Sequence, residues 1–287
     1  MSSAVKQLVK RLASLASSPA EDEDEDEYYI LRQSGPNLCQ IPVTVGGKEG
    51  IKKAVARDVK QGTPALYLRM VFYLDKSNHL RCNSPDENGH WEETEMFGLP
   101  GPMAVHPDSQ LSGSVSRDRV WVIYQTPKEE MVAVMKQSSR WSVAGVIPAE
   151  IPRGASHVPL GDANNPDALH LFFPTKTGDI CHTYGDFISG KWTSKTVESS
   201  QFPGGVSRFI VVPTEIPESF DLYVATGDSR LVLVSSSGDQ VEIGKINGDQ
   251  FIAQNRAEAS WGLNLSFGSW GKLVLGFFRP EPLGYEA

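Results

Sequence analysis

Cationic and imidazole side chains recur in the Pro- and Gly-rich loops between the strand-like segments of this 287-residue chain. His106 and Arg153 lie in such loops, and His157 and Arg208 lie in the strands that follow two of them. Large apolar residues accompany them: Met103, Phe202 and Trp261. This mixture suits a mostly apolar organic ligand with an acidic or carbonyl oxygen. The alternative, that the two arginines only cap loop carbonyl groups, stays open.

Sequence motifs of familiar enzymes are absent. The chain contains no G-x-S-x-G, no H-E-x-x-H, no Walker loop and no dinucleotide fingerprint. Its three cysteines are far apart and lack C-x-x-C spacing, which argues against a disulfide framework or a zinc site. Among the dispersed histidines, only His170 and His182 could approach each other across a hairpin. We therefore expect neither a cofactor nor a metal ion, and structural roles for most histidines.

Three tryptophans mark an internal repeat. Trp91, Trp141 and Trp192 are spaced 50 and 51 residues apart, and each follows an apolar run. Repeats near this length are typical of propellers and solenoids. A large aromatic residue at one position per repeat usually packs between neighbouring units, so we expect these side chains in the core.

Each repeat contains four short strands. The strongest strand of each is rich in β-branched and aromatic residues, and these strands span residues 66–74, 119–125, 168–174 and 220–226. Two strands follow each of them, and one weaker strand precedes it. The weaker strands, predicted to be innermost, span residues 51–57, 110–115, 155–160 and 205–213. Four strands in about 50 residues form a propeller blade.

The two ends of the chain provide one further hairpin each. Residues 28–33 and 38–43 form one, and residues 260–267 and 272–278 form the other. Their offsets from the repeat predict a composite closing blade with two outer strands from the N-terminus and two inner strands from the C-terminus. The sequence thus predicts an all-β, five-bladed β-propeller. In a six-bladed alternative, each end hairpin is a separate incomplete blade.

The predicted site lies at the mouth of the central channel. The loops that enter the innermost strands span residues 97–109, 147–154, 198–204 and 246–259. We expect the innermost strands to present three side chains towards the channel: His157, Arg208 and Trp261.

The N-terminal segment has a different character from the rest. Residues 1–27 combine a short amphipathic helix with an acidic linker at 21–27, and residues 28–287 form the propeller domain. No continuous apolar segment resembles a secretory signal or a membrane span, so we expect a cytoplasmic protein. The net charge of −8 argues against nucleic-acid and acidic-membrane partners. The oligomeric state stays open.

The segments LRMVFYLDKSNHLRC and RVWVIYQTP, each followed by a tryptophan, resemble blades of the fungal fucose-specific lectin family. In that family an Arg and a Glu hold sugar hydroxyls and an aromatic side chain stacks on the ring. The glutamate positions are occupied here by other residues: Cys82, Ala133, His182 and Leu233. The arginine is present only as Arg69 and Arg119. The resemblance therefore implies a lectin scaffold without that family's sugar sites, because those sites need charge-assisted hydrogen bonds.

Such a scaffold is similar to the hetero-Diels–Alderases of tropolone–sesquiterpenoid biosynthesis. That resemblance implies cofactor-free dehydration of a hydroxymethyl tropolone to an o-quinone methide, followed by addition to a humulene-type alkene. Arg153 or Arg208 would then hold the tropolone oxygens. His157 or His106 would assist the loss of water as a general acid. The large apolar residues would hold the alkene in a reactive pose: Trp261, Phe202 and Met103.

Two other functions remain open. One is a sugar-binding lectin with divergent sites, and the other is a propeller that binds a partner without catalysis. Neither is excluded by composition.

Overall fold

The computed structural model describes residues 27–44, 49–68, 70–116, 118–162, 164–214, 216–247 and 250–253. These residues form twenty strands and no helix. The strands make five antiparallel sheets arranged as the blades of a β-propeller. The prediction of a five-bladed, all-β propeller is therefore confirmed. The predicted N-terminal helix, most of the acidic linker and the C-terminal hairpin lie outside the described residues.

We number the sheets as blades 1 to 5 in chain order. Blade 1 contains β1 (Glu27–Ser34), β2 (Asn37–Thr44) and β3 (Lys53–Ala56). Blade 2 contains β4 (Leu66–Tyr67), β5 (Val71–Leu74), β6 (Leu80–Pro85) and β7 (Trp91–Glu93). Blade 3 contains β8 (Ser112–Ser116), β9 (Arg119–Gln125), β10 (Met131–Gln137) and β11 (Arg140–Ile147).

Blade 4 contains β12 (Val158–Gly161), β13 (Ala168–Pro174), β14 (Ile180–Asp186) and β15 (Lys191–Thr196). Blade 5 contains β16 (Val206–Pro213), β17 (Phe220–Thr226), β18 (Arg230–Val234), β19 (Gln240–Asn247) and β20 (Gln250–Ala253). Strands that are consecutive in the chain are neighbours within every sheet.

The second strand of a blade is apolar on both faces because each face packs against a different neighbour. In β9, Trp121 and Ile123 belong to the core shared with blade 4. The alternate residues Val122 and Tyr124 belong to the core shared with blade 2. Successive side chains of a strand point to opposite faces, so both sets are buried at once. This double burial explains why the repeat appears in the sequence as a continuous apolar run.

The first strands of neighbouring blades approach closely, as expected for innermost strands. The Gly161 amide of β12 donates to Ser114 Oγ of β8 at 3.1 Å. A Cβ atom on Gly161 would lie 2.5 Å from the Cβ of Ser116, so the approach requires glycine. The predicted innermost strands of blades 3, 4 and 5 correspond to β8, β12 and β16.

The start of the propeller differs from the prediction. The strand predicted at 51–57 is β3, and it pairs with β2 of blade 1 instead of starting blade 2. Blade 1 therefore has three N-terminal strands where two were predicted. The single strand predicted at 66–74 is divided into β4 and β5, because a bend joins the Leu68 amide to the Met70 carbonyl at 2.8 Å. Blade 2 thereby obtains its own first strand, and β3 becomes free to extend blade 1.

Two further expectations concern the outer strands. The predicted loop at 246–259 is wrong at its start, because β19 runs to Asn247 and β20 pairs with it as a fifth strand. The core position of Trp141 is confirmed, since its ring meets Phe72 of blade 2 edge-on at 5.6 Å. Trp91 and Trp192 are both only half-buried, and Trp192 contacts Phe187 at 5.0 Å.

Replacing Gly185 by Ala is expected to destabilise the fold. A Cβ atom at this position of β14 would lie 2.1 Å from Cδ2 of Trp192, so the indole or the strand must move. Such overpacking costs about 1–3 kcal/mol. Urea unfolding measures the loss, and Lys191→Ala, an exposed change on the neighbouring strand, is the control. Equal unfolding free energies for the two variants would contradict this packing.

Candidate functional site

His157 is buried beneath backbone and is not open to the channel. The residue is only 4% exposed to solvent. Its Nδ1 atom lies 3.2 Å from the Ala155 carbonyl oxygen. Nε2 lies 3.4 Å from the carbonyl oxygen of Ile123. Burial lowers the pKa of His157, so the neutral ring is favoured. Both nitrogens thus face protein carbonyls, and the expected position facing the channel is corrected.

His106 and Arg153 are brought together around Glu129. Arg153 Nε donates to Glu129 Oε1 at 3.1 Å, and this pairing is the main cause of the lowered pKa of Glu129. His106 adds a smaller effect on the same carboxyl. The Asp108 amide donates to His106 Nδ1 at 3.1 Å. The exposed Arg153 therefore already has a carboxylate partner.

The two described apolar residues of the predicted site lie in different cores. Met103 packs against the core between blades 2 and 3. Phe202 is 3% exposed in the core between blades 4 and 5, where its amide contacts the Gly178 carbonyl at 3.4 Å. The structure therefore does not bring together these two of the three residues expected to hold an alkene, because their loops fold back onto separate blade interfaces. Trp261 lies outside the described residues.

Arg208 differs from the other predicted cations. It lies on β16 and is half-buried, next to Phe209 in the core on the opposite face. Burial lowers the pKa of Arg208, and no carboxylate opposes that effect. Within the described part of the chain, its guanidinium makes no hydrogen bond or ion pair.

The residues at the positions of the lectin family's sugar-binding Glu and Arg have structural roles here. Cys82, Ala133 and Leu233 are buried, and burial raises the pKa of Cys82 to about 12. Arg119 donates to Asp167 Oδ1 at 2.5 Å and to the Pro166 carbonyl at 2.6 Å, which joins blade 3 to blade 4. Arg69 lies outside the described residues.

A polar cleft that the sequence reasoning missed lies between blades 1 and 2. Its volume is about 580 Å³. Residues 54–58 of β3 and the following turn form one wall. Tyr73, Asn83, Trp91 and Glu93 of blade 2 form the rest. The available signal was the fourth strand of the repeat, in which Trp91 is followed by two glutamates, whereas Trp141 and Trp192 are not.

The floor of the cleft is fixed by hydrogen bonds across the two blades. Tyr73 donates its hydroxyl hydrogen to Asn83 Oδ1 at 3.0 Å, and Asn83 Nδ2 donates to the Val55 carbonyl at 2.8 Å. Burial, with a contribution from Glu93, raises the pKa of Tyr73 to about 12. The phenol is therefore neutral, and its oxygen can accept a further hydrogen bond.

The walls supply an aromatic face and charged groups. The half-buried Trp91 ring lies 6.2 Å from the ring of Tyr67. Glu93 accepts a hydrogen bond from Arg81 at 3.2 Å. Arg57 is exposed on the facing wall. Together these groups can hold a ligand that has many hydroxyls and one apolar face.

A buried histidine pair lies between blades 4 and 5. His170 Nδ1 is 3.0 Å from His182 Nε2, so the predicted approach across the hairpin is confirmed. Phe172 stacks on His182 at 4.2 Å, and Phe220 of blade 5 lies 5.0 Å from His170. Burial, then the neighbouring His170 and Lys195, lower the pKa of His182 to about 3.

The pair has charged neighbours but no metal-binding geometry. Burial lowers the pKa of His170, while the carboxylates of Asp162 and Glu218 oppose that shift. No group of three or more His, Cys, Asp or Glu among the described residues is arranged to hold a metal ion. The part of the chain that the structure describes contains no helix with the length and apolar character needed to cross a membrane.

Solved structures that resemble this fold include a fungal fucose-binding lectin with a β-propeller fold. AofleA from Arthrobotrys oligospora has a TM-score of 0.58 and 17% identity, covering 76% of this chain and 68% of its own. The fucose-specific lectin from Aleuria aurantia has a TM-score of 0.56 and 15% identity, covering 77% and 74%. At these identities the likeness shows the fold alone. No protein-family model and no curated protein matches the chain.

Acid is expected to weaken the interface between blades 4 and 5. The pKa of His182 falls from about 6.5 in the unfolded chain to about 3 in the fold, so the unfolded state binds more protons between these values. Stability is therefore full above about pH 6.5 and falls as the pH approaches 3, by ~1.4 kcal/mol per unit of pKa difference.

Urea unfolding from pH 7 to pH 4 tests this expectation. The double variant His170→Leu/His182→Leu should lose less stability over this range than the wild type, whereas the exposed His90→Asn control should follow the wild type. Parallel curves for the double variant and the wild type would rule out the histidine pair as the source.

Proposed function

We propose that this protein is a carbohydrate-binding propeller that holds a small sugar in the cleft between blades 1 and 2. The observation that carries this proposal is the convergence of Trp91, Arg57 and Glu93 on one polar cleft. These are the three side-chain types by which the lectin resemblance implies sugar recognition. They occur here at positions other than those of the family's pattern.

The size and lining of the cleft fit a sugar. Its volume of about 580 Å³ is within the range of small-molecule sites. Sugar hydroxyls both donate and accept hydrogen bonds, and the cleft offers a carboxylate, a guanidinium and the phenol oxygen of Tyr73. The half-buried face of Trp91 suits the apolar side of a sugar ring, whose C–H groups pack on aromatic faces.

The cleft is also held in shape before a ligand arrives. Asn83 is bonded to Tyr73 on its own blade and to Val55 on the neighbouring blade. Arg81 is held between Asp75, at 2.8 Å, and Glu93. A site whose polar groups are already ordered loses less entropy on binding.

A glycan array followed by calorimetry tests the proposal. The wild type should bind at least one sugar class, and Trp91→Ala should weaken that binding by about 1 kcal/mol, the contribution of an aromatic contact. Phe97→Ala is the matched control, because Phe97 is an exposed aromatic outside the cleft. If no glycan binds, or if both variants bind like the wild type, the proposal fails.

Arg208 supports a second candidate, the dehydrating cycloaddition. A half-buried guanidinium without a described partner is suited to hold the oxygens of a tropolone and to stabilise charge that develops on them. The reaction itself needs mainly that the two reactants be held in a reactive pose.

Incubation with a hydroxymethyl tropolone and humulene tests this second candidate. The protein should accelerate adduct formation, Arg208→Gln should abolish the acceleration, and Arg153→Gln should retain it, because Arg153 is already paired with Glu129. If the adduct forms at the same rate and with the same selectivity without protein, the hypothesis of enzymatic cycloaddition is refuted.

A further inference from the structure

We infer that the sugar held between blades 1 and 2 is an acidic one, of the uronic acid type, and that its carboxylate pairs with Arg57. This inference rests on the proposed carbohydrate-binding function. The inference adds two properties of the ligand to that function: its charge and its orientation in the cleft.

The carboxylates in the cleft are already neutralised. Glu93 accepts from Arg81 at 3.2 Å. Asp58 forms an ion pair with Lys76 at 3.0 Å. A cationic ligand would therefore have to displace an existing partner, so neither carboxylate favours one.

Positive charge on the β3 wall is not neutralised in the same way. Arg57 lines the cleft, is exposed and makes no ion pair with any residue that the structure describes. Lys53 reaches across to blade 2, where its ammonium group donates to the carbonyl of Gly89, a neutral acceptor. The charge left to be matched at this wall is therefore positive.

Guanidinium chemistry indicates the group that matches it. The planar fork of an arginine binds a carboxylate through two parallel hydrogen bonds. Trp91 lies on the opposite wall, so a sugar ring that stacks on it would turn its carboxylate towards Arg57. The hydroxyls would then face Glu93 and the phenol oxygen of Tyr73, which can accept a hydrogen bond.

The rest of the chain restricts this anion to a small one. The net charge of the protein is −8, and two further glutamates, Glu92 and Glu95, are exposed on and just after β7. A polyanion would meet this field over a large area, whereas a single carboxylate inside the cleft meets mainly Arg57. A monoanionic sugar therefore fits better than a nucleic acid or a highly sulfated chain.

Calorimetry with matched sugar pairs tests the inference. Methyl glycosides of glucose, galactose and mannose are each compared with the corresponding uronic acid, which differs only in a carboxylate at C6. We expect the acidic member of at least one pair to bind about tenfold tighter, and we expect salt to reduce this preference because it screens exposed charges.

Arg57→Gln should remove the preference, because it should weaken binding of the acidic member about tenfold more than binding of the neutral member. Arg153→Gln, a change of another exposed arginine in the loop between blades 3 and 4, should leave the preference intact. The inference of an acidic ligand would be wrong if the acid and the neutral sugar of every pair bound equally, or if the preference survived Arg57→Gln. The proposed carbohydrate-binding function would still stand in either case. If no member of any pair binds but the glycan array shows binding of another, neutral sugar, only the acidic ligand is overturned, whereas the absence of binding in both experiments overturns the proposed function as well.

Discussion

The burial of both faces of the second strand in blades 2 to 5 is the constraint on which the rest of the structure depends. Each such strand must find an apolar neighbour on either side, and only further blades can provide both. The four apolar cores of the described residues each lie between two blades, and none of them lies inside one blade alone. Unpaired polar groups would consequently destabilise these interfaces. Arg119 avoids this effect because it is paired with Asp167.

The blade interfaces solve that problem in different ways. Blades 2 and 3 meet through a large apolar core that contains Phe72, Tyr124 and Trp141. Blades 4 and 5 enclose the His170–His182 pair, which stays neutral between two phenylalanines. Blades 1 and 2 meet less completely, and the space between them is the polar cleft. The ring thus repeats its backbone and its packing, while each interface has its own chemistry.

Sequence patterns predicted the features that follow from burial of both strand faces, and they predicted little else. The apolar runs revealed the blades, and the position of Trp141 followed from its spacing. The pairing of β3 was not predictable, because a short strand of low apolar content fits either neighbouring sheet and only the bend at Leu68–Met70 decides between them. The cleft was missed for the same reason: its two walls come from β3 and β7, whose contact depends on that pairing.

The amide of Asn83 joins blade 1 to blade 2 from within the cleft. A ligand there would touch both blades, so it would bind when blades 1 and 2 are packed together and not when they have separated. Ligand binding and the packing of these two blades are then thermodynamically linked: at a free ligand concentration one hundred times the dissociation constant, the packed form gains about 2.7 kcal/mol. A ligand in the cleft would therefore act as a non-covalent cross-link between the two blades.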